Sequence, residues 1–305
     1  IVQLPITPQS VADGGNGGWV DGTYGNGCWF ILSQTGENCL YSVSDGLTWL
    51  SVDLPALTSG EYSSVVYGNG VFVAIARQGQ TVAYSTDNCA TWTKVSLSFG
   101  NDDWVDIAYG NGTFTAIDGS SQTVIYSNDN GVTWSESVLD TSEDSTVNNW
   151  RAIEFGNNRF VAVSQDNRTS VYSFDGETWL QSDIIINAGL LKYGQGVFVA
   201  LDEPTGLLYT SPDGIDWDEH TDLFELQFEN LGFSFDPSTR KGWFVVLGPA
   251  GQETWKISAG TRAIGRASVS NARITQISLL EPGSGYEDDS FGPEIEITDP
   301  NNSEE

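Results

Sequence analysis

Several groups of side chains have chemistry to offer. Trp19, Tyr62, Trp104 and Trp150 each stand five residues ahead of a Tyr-Gly or Phe-Gly pair, with Ala188 at the fifth such position. Flat rings at a repeated offset could form a stacking platform for a sugar or another flat ligand. They could equally pack between sheets, as aromatics do in β cores. Arg77, Arg151 and Arg168 fall where variable loops are expected and could approach one another. His220 is the one histidine, so His-based triads and His-metal clusters are excluded. Asp102, Asp103 and Asp106, and again Glu287, Asp288 and Asp289, would offer hard oxygens to Ca2+, although no EF-type loop surrounds them and solvated acidic loops are the competing reading. The 41 acids supply many carboxylate pairs of the kind a glycosidase uses, and the sequence does not choose among them. No catalytic residue, resident metal or cofactor is assigned.

These groups are positioned by a repeat. Tyr126-Ser-Asn-Asp-Asn-Gly-Val-Thr-Trp134 reads as a strand end, a tight reversal and a new strand, since Asp and Asn satisfy their own backbone and Gly takes positive φ. Four further copies end on Trp49, Trp92, Trp179 and Trp217, so the five tryptophans recur 38 to 45 residues apart. Their Asp positions are Asp45, Asp87, Asp129, Asp175 and Asp213, with Ser44 in the usual slot of the first copy and Cys89 replacing Gly in the second. A second mark precedes each: Tyr24-Gly-Asn-Gly27, Tyr67-Gly-Asn-Gly70, Tyr109-Gly-Asn-Gly112, Phe155-Gly-Asn-Asn158 and Tyr193-Gly-Gln-Gly196, every one followed by an apolar run. One unit therefore reads strand, Asn-Gly turn, strand, variable loop, strand, Asp turn, strand. Four antiparallel strands at a period near 40 residues make a propeller blade.

The expected fold is all-β, a six-bladed β-propeller of four-stranded antiparallel blades over residues 1–268, with blades starting near residues 19, 62, 104, 150, 188 and 226. The sixth is weaker: Leu226 to Phe235, Trp243 to Leu247 and Thr254 to Ile257 would be its strands. Residues 1–12 could close the ring by pairing with it, removing exposed sheet edges. Residues 269–305 break the period and read as a small β appendage with a polar tail. Both kinds of turn follow odd-numbered strands and so share one end. The opposite end carries Ser33–Glu37, Arg77–Gln80, Asp118–Gln122, Gln165–Thr169 and Asp202–Gly206, together with the blade-to-blade connections. Variable loops on a rigid scaffold are where binding residues usually sit.

Composition narrows the partners. Twelve Lys and Arg against 41 Asp and Glu leave a net charge of −29, which argues against nucleic acid because phosphate binding needs clustered cations. No run approaches the length of a membrane span. The chain has no Met and opens on Ile1, which reads as a processed product or a piece of a longer polypeptide. Cys28, Cys39 and Cys89 show no disulfide framework or metal-ligand spacing and are expected as free thiols.

Ser127-Asn-Asp-Asn-Gly-Val-Thr-Trp134 matches S-x-D-x-G-x-T-W, so the repeat resembles the Asp-box, or BNR, repeat of sialidase-like propellers in bacterial and phage proteins. That resemblance covers roughly residues 19–220 and implies a structural role for the turn: the Asp caps amides and the Trp packs between blades. Leu279-Leu-Glu-Pro-Gly-Ser-Gly-Tyr286 is similar to short β segments of tailed-phage virion proteins. A sialidase would need three convergent arginines, a Tyr-Glu pair and an acid, and Leu4-Pro-Ile6 stands where its Arg-Ile-Pro motif would precede the first blade. The resemblance thus implies a non-enzymatic module of a phage virion, tail or fibre associated and extracellular. It would bind a host-surface glycan or other virion structural proteins, without nucleic acid or membrane insertion. A sialidase-like glycoside hydrolase is the first alternative. A propeller assembly factor is the second, and the scarcity of Lys and Arg counts against its docking patch.

Overall fold

The structure, a computed structural model, describes residues 18–100, 103–139, 149–165, 169–182, 186–220, 230–236, 241–247, 254–259, 264–270 and 273–281. The chain divides into two compact units, Ile1–Val138 and Leu139–Glu305. The first holds three four-stranded antiparallel sheets, each in chain order: β1 (Trp19–Gly25), β2 (Cys28–Ser33), β3 (Cys39–Ser42) and β4 (Leu50–Val52); β5 (Glu61–Gly68), β6 (Val71–Arg77), β7 (Thr81–Ser85) and β8 (Thr93–Ser96); β9 (Trp104–Gly110), β10 (Thr113–Asp118), β11 (Thr123–Ser127) and β12 (Ser135–Val138). The second unit holds two more: β13 (Trp150–Gly156), β14 (Arg159–Ser164), β15 (Ser170–Ser173) and β16 (Leu180–Gln181); β17 (Leu190–Gly194), β18 (Val197–Asp202), β19 (Leu207–Ser211) and β20 (Asp218–His220).

The sixth sheet has five strands: β21 (Asn230–Asp236), β22 (Lys241–Leu247), β23 (Thr254–Ala259), β24 (Ile264–Ser270) and β25 (Arg273–Glu281). Here the structure departs from the expected boundary at 268/269, because β24 runs across it. The alternating segment read as an appendage pairs with β24 through Ala267↔Ile277 and Ser268↔Gln276, extending the sheet by one strand. The proposed closure by residues 1–12 and the segment beyond Glu281 lie outside the described residues.

Each sheet is graded from apolar to polar across its strands. Every residue from Val71 to Ala76 on β6 and from Thr113 to Asp118 on β10 is buried, whereas β8, β12 and β20 are mostly exposed. First strands meet first strands, β1 with β5 and β5 with β9 in one unit, β13 with β17 and β17 with β21 in the other. Within each unit the sheets thus radiate from a shared inner edge and bury both faces of their second strands. That explains the near-continuous apolar runs after each Asn-Gly turn.

The Tyr-Gly pair follows from this stacking. The Tyr or Phe of each turn packs on an aromatic of its own second strand, Trp29 for Tyr24 and a Phe in the others, with Tyr67–Phe72 centroids 4.8 Å apart and Tyr109–Phe114 4.6 Å apart. The same ring covers the glycine of the preceding sheet. A Cβ at Gly25 would lie 2.0 Å from the Tyr67 ring, one at Gly156 2.1 Å from Tyr193, and one at Gly194 2.2 Å from Phe233.

Candidate functional site

At the turn end, each Ser-x-Asp reversal is closed by its own side chains. Asp129 accepts from the Thr133 amide at 2.8 Å and from the Thr133 hydroxyl at 2.7 Å, while Ser127 Oγ accepts from the Gly131 amide at 2.9 Å. Asp87 and Thr91 repeat the pattern, and Asp175 and Asp213 accept from two amides each. Burial pushes these four carboxyls up, but the hydrogen bonds outweigh it and hold each below the usual carboxylate range. The first copy differs. Ser44 Oγ, not Asp45, meets the Thr48 amide at 2.9 Å and the Thr48 hydroxyl at 2.7 Å, and Asp45 is exposed with φ at 53°. Asp45 therefore has no capping role, because it stands one position past the slot that meets those amides.

The tryptophans of these turns pack inward. Trp92 lies 4.9 Å from Phe30 of the preceding sheet, and Trp134 packs with Val71 and Val73 of its own preceding sheet. Trp179 and Trp217 are buried, and Trp49 is half-buried. The two kinds of reversal also bond to each other between successive sheets: Asn26 Nδ2 to Asn88 Oδ1 at 2.9 Å, Asn69 Nδ2 to Asn130 Oδ1 at 2.8 Å, and Asn157 Nδ2 to the Pro212 carbonyl at 3.0 Å. Both reversals do share one end, and that end is spent on holding sheets together. Arg159 sits there as well, 3.8 Å from Asp213 and over the Phe174 ring.

The opposite end carries the polar groups left for recognition. Counting from the Asn-Gly turn, the residue just past the buried end of the second strand is Gln34, Arg77, Gly119, Gln165 or Glu203. In three sheets it reaches the next one, twice at its start and once at the same position of that sheet. Gln34 donates to Glu61, Arg77 Nε meets Asp103 Oδ1 at 2.9 Å, and Gln165 Nε2 donates to Glu203 Oε2 at 3.2 Å. Gln165 also accepts from Arg151 Nε at 3.1 Å, which makes Arg151–Gln165–Glu203 a continuous polar chain. Beneath it Asp202, 2% exposed, accepts from Asn187 Nδ2 at 3.0 Å and Thr205 Oγ1 at 2.5 Å through one oxygen. Its other oxygen is buried with no hydrogen-bond partner. Glycine at 189 makes room, since a Cβ there would stand 2.1 Å from Glu203 Oε2. Burial pushes the Glu203 carboxyl up; Arg151 and Gln165 pull it down and Asp202 raises it again, for a net rise.

The aromatic platform is not formed. Tyr62, Trp104 and Trp150 are fully buried, with no ring face to offer a ligand, and only Trp19 of the four is open, at 47%. A β-bulge at the start of the first strand, between Trp19 and Asp21, Tyr62 and Ser64, and Trp150 and Ala152, turns the aromatic off the parity of the residues after it. Tyr62 instead wedges over Gly36 and donates to the Pro55 carbonyl at 2.8 Å. Arg77 and Arg151 lie in different units, each with its own partner, and Arg168 lies outside the described residues.

Of the acids considered for Ca2+, Asp103 is engaged with Arg77 and Asp106 with the Ser64 hydroxyl at 2.8 Å, while Asp102, Glu287, Asp288 and Asp289 lie outside the described residues. Among the described residues no group of three His, Cys, Asp or Glu side chains is arranged to hold a metal. His220, half-buried, meets Thr210 Oγ1 at 2.9 Å rather than standing free in solvent. Gln165, Asp202 and Glu203 fell inside the loops named from sequence but were not singled out. Aligning the five units at the Asn-Gly turn would have exposed the shared position.

Sheets of this kind, stacked from their first strands, have counterparts among solved structures. Streptogramin B lyase matches with a TM-score of 0.62 at 12% identity, over 86% of this chain and 82% of that one. YCF48 bound to a D1 peptide matches with a TM-score of 0.57 at 15% identity, over 78% of each chain. The fold is that of a β-propeller. A GH74 enzyme from Niastella koreensis matches at 0.57 and 14% identity, over 80% of this chain but only 35% of that one. At such identities the likeness of the propellers carries fold alone, and these three have different activities. No family model and no curated protein matches the chain.

Proposed function

We propose that this propeller is a non-enzymatic recognition module of a phage virion, tail or fibre associated, which holds a host-surface glycan at its loop end. The observation that carries this is the Arg151–Gln165–Glu203 chain over the half-satisfied Asp202. A guanidinium, an amide and a carboxylate side by side are planar groups that pair with neighbouring hydroxyls of a sugar, donating to one and accepting from the next. The turn end, by contrast, has its Asn side chains consumed in bonds between blades and its Asp side chains in bonds within their own turns. The Asp-box resemblance of the turns and the acidic surface support a virion setting.

The blade count in this reading is six. A closed six-sheet ring would bring the last sheet against Tyr24, which is 48% exposed where Tyr67 and Tyr109 each cover a preceding sheet. A glycoside-acting enzyme is the second reading, favoured by one observation, the raised Glu203 carboxyl, because a general acid must hold its proton.

A glycan array probed with the full chain, followed by titration of each hit against Arg151→Ala and Glu203→Gln, tests the proposal. Binding that weakens tenfold or more in both variants, with no sugar released, is the expected result. Release of reducing sugar would move the chain to the hydrolase reading. Silence on the array with capture of a virion subunit would replace the glycan by a protein partner.

A further inference from the structure

Two of the three cysteines in the chain meet across the interface between the first and second sheets. Cys28 opens β2, and Cys89 occupies the glycine slot of the Ser-x-Asp turn that follows β7. Both are fully buried in one core cluster, and Cys28 Sγ lies 3.4 Å from the carbonyl of Asn88, the residue that precedes Cys89. The slot is a costly place for any residue but glycine. Its occupants Gly46, Gly131, Gly176 and Gly214 have φ between 75° and 81°, and Cys89 is held at 66°. The slot is also crowded: a Cβ at Gly131 would come 3.1 Å from Val73 Cγ2, and one at Gly214 2.2 Å from Val161 Cγ2. Of the five turns this one alone accepts a side chain at that position, and the side chain joins the core cluster that holds Cys28.

We propose that Cys28 and Cys89 are a redox-convertible pair that closes into a disulfide stapling the first two sheets together. With a disulfide oxidant such as glutathione disulfide, one cysteine thiolate attacks a glutathione sulfur and expels glutathione thiolate. The second cysteine thiolate then attacks the mixed disulfide and expels the other. Two electrons and two protons pass to glutathione, and the Cys28–Cys89 bond replaces the glutathione S–S bond. Cys39 lies in the same core cluster but is held on its own hairpin, 3.4 Å from the Ser33 amide and 3.5 Å from the Gly36 carbonyl. Burial pushes the Cys28 and Cys89 thiols up and away from the reactive thiolate. Exchange therefore takes place as the sheets assemble, and the finished interface resists both reduction and alkylation.

The test refolds the full chain from reduced denaturant in a glutathione and glutathione disulfide buffer, quenches with an alkylating agent at acid pH, and maps the peptides. The expected product is about 2 Da lighter than the reduced chain, with Cys28 and Cys89 in one linked peptide and Cys39 alkylated. It should melt several degrees above the chain refolded in reductant, and Cys89→Gly should abolish that difference. That variant restores the residue the other turns use, so it is expected to fold. Three alkylated thiols, a bond involving Cys39, or a linked form no more stable than the reduced one would each overturn the proposal.

Discussion

The ring of Tyr109 occupies the space that a Cβ at Gly68 would need, with the nearest ring carbon 2.0 Å away. Neither partner can retreat, since the ring is also packed on Phe114 and the glycine lies in a buried strand. Gly68→Ala is therefore expected to destabilise the chain by about 1–3 kcal/mol through overpacking, although alanine is otherwise the better strand residue. Urea unfolding of Gly68→Ala, Tyr109→Leu and the double variant checks this. If the two losses simply add, the close approach is not what glycine is there for.

The Asp turns make stability depend on acid. Asp87, Asp129, Asp175 and Asp213 have carboxyls depressed in the folded chain, so each contributes stability above the unfolded value of about 4 and loses it as pH falls through the lower folded value. These carboxylates are largely exposed, and the contribution of each is under about 1 kcal/mol. Melting temperature should fall in the window just below pH 4, and Asp129→Asn should show a shallower fall than the parent chain. Parallel pH profiles for the two would remove Asp129 from the account.

Sequence made the repeat visible because each unit marks itself twice with residues whose backbone demands are unusual. Asn69 and Gly70 both take positive φ, as do Asn130 and Gly131, and such residues cannot be hidden by drift elsewhere in the strand. The bond from Asn69 to Asn130 could not be read, because it depends on two turns 61 residues apart meeting in space. The choice between platform and core for Trp104 and Trp150 could not be read for a different reason. A bulge changes the parity of a strand, and no residue type announces it. The sixth sheet blurred because its turns, Asp236 to Lys241 among them, lack the Asn-Gly signal; its fifth strand then looked like a separate piece.

The first turn offers a gain rather than a loss. Ser44 takes the position that Asp87 and Asp129 hold in the next two sheets, meeting Thr48 through one oxygen where they use two. Ser44→Asp should add a charge-assisted bond to the Thr48 hydroxyl and stabilise by about 0.5–1 kcal/mol at neutral pH. The gain should vanish below about pH 4, when the new carboxyl is protonated. Guanidinium unfolding at pH 7 and pH 3 measures both. A gain of the same size at the two values would point to shape rather than charge.

Glu203 has the opposite sign. Its carboxyl is raised by burial, so the folded chain holds that proton more tightly than the unfolded one. The stabilising contribution is complete below the unfolded value of about 4.3 and fades as pH climbs through the folded value. Glu203→Gln keeps an acceptor for Gln165 while removing the charge, and its stability should exceed that of the parent increasingly as pH rises above 5. Binding should move the other way. If the ligand is a sugar taken by the ionised carboxylate, affinity in the parent chain rises over the same interval and the variant stays weak throughout. A parent chain whose affinity is flat with pH while its stability titrates would detach Glu203 from recognition and leave it as a buried strut between the fourth and fifth sheets.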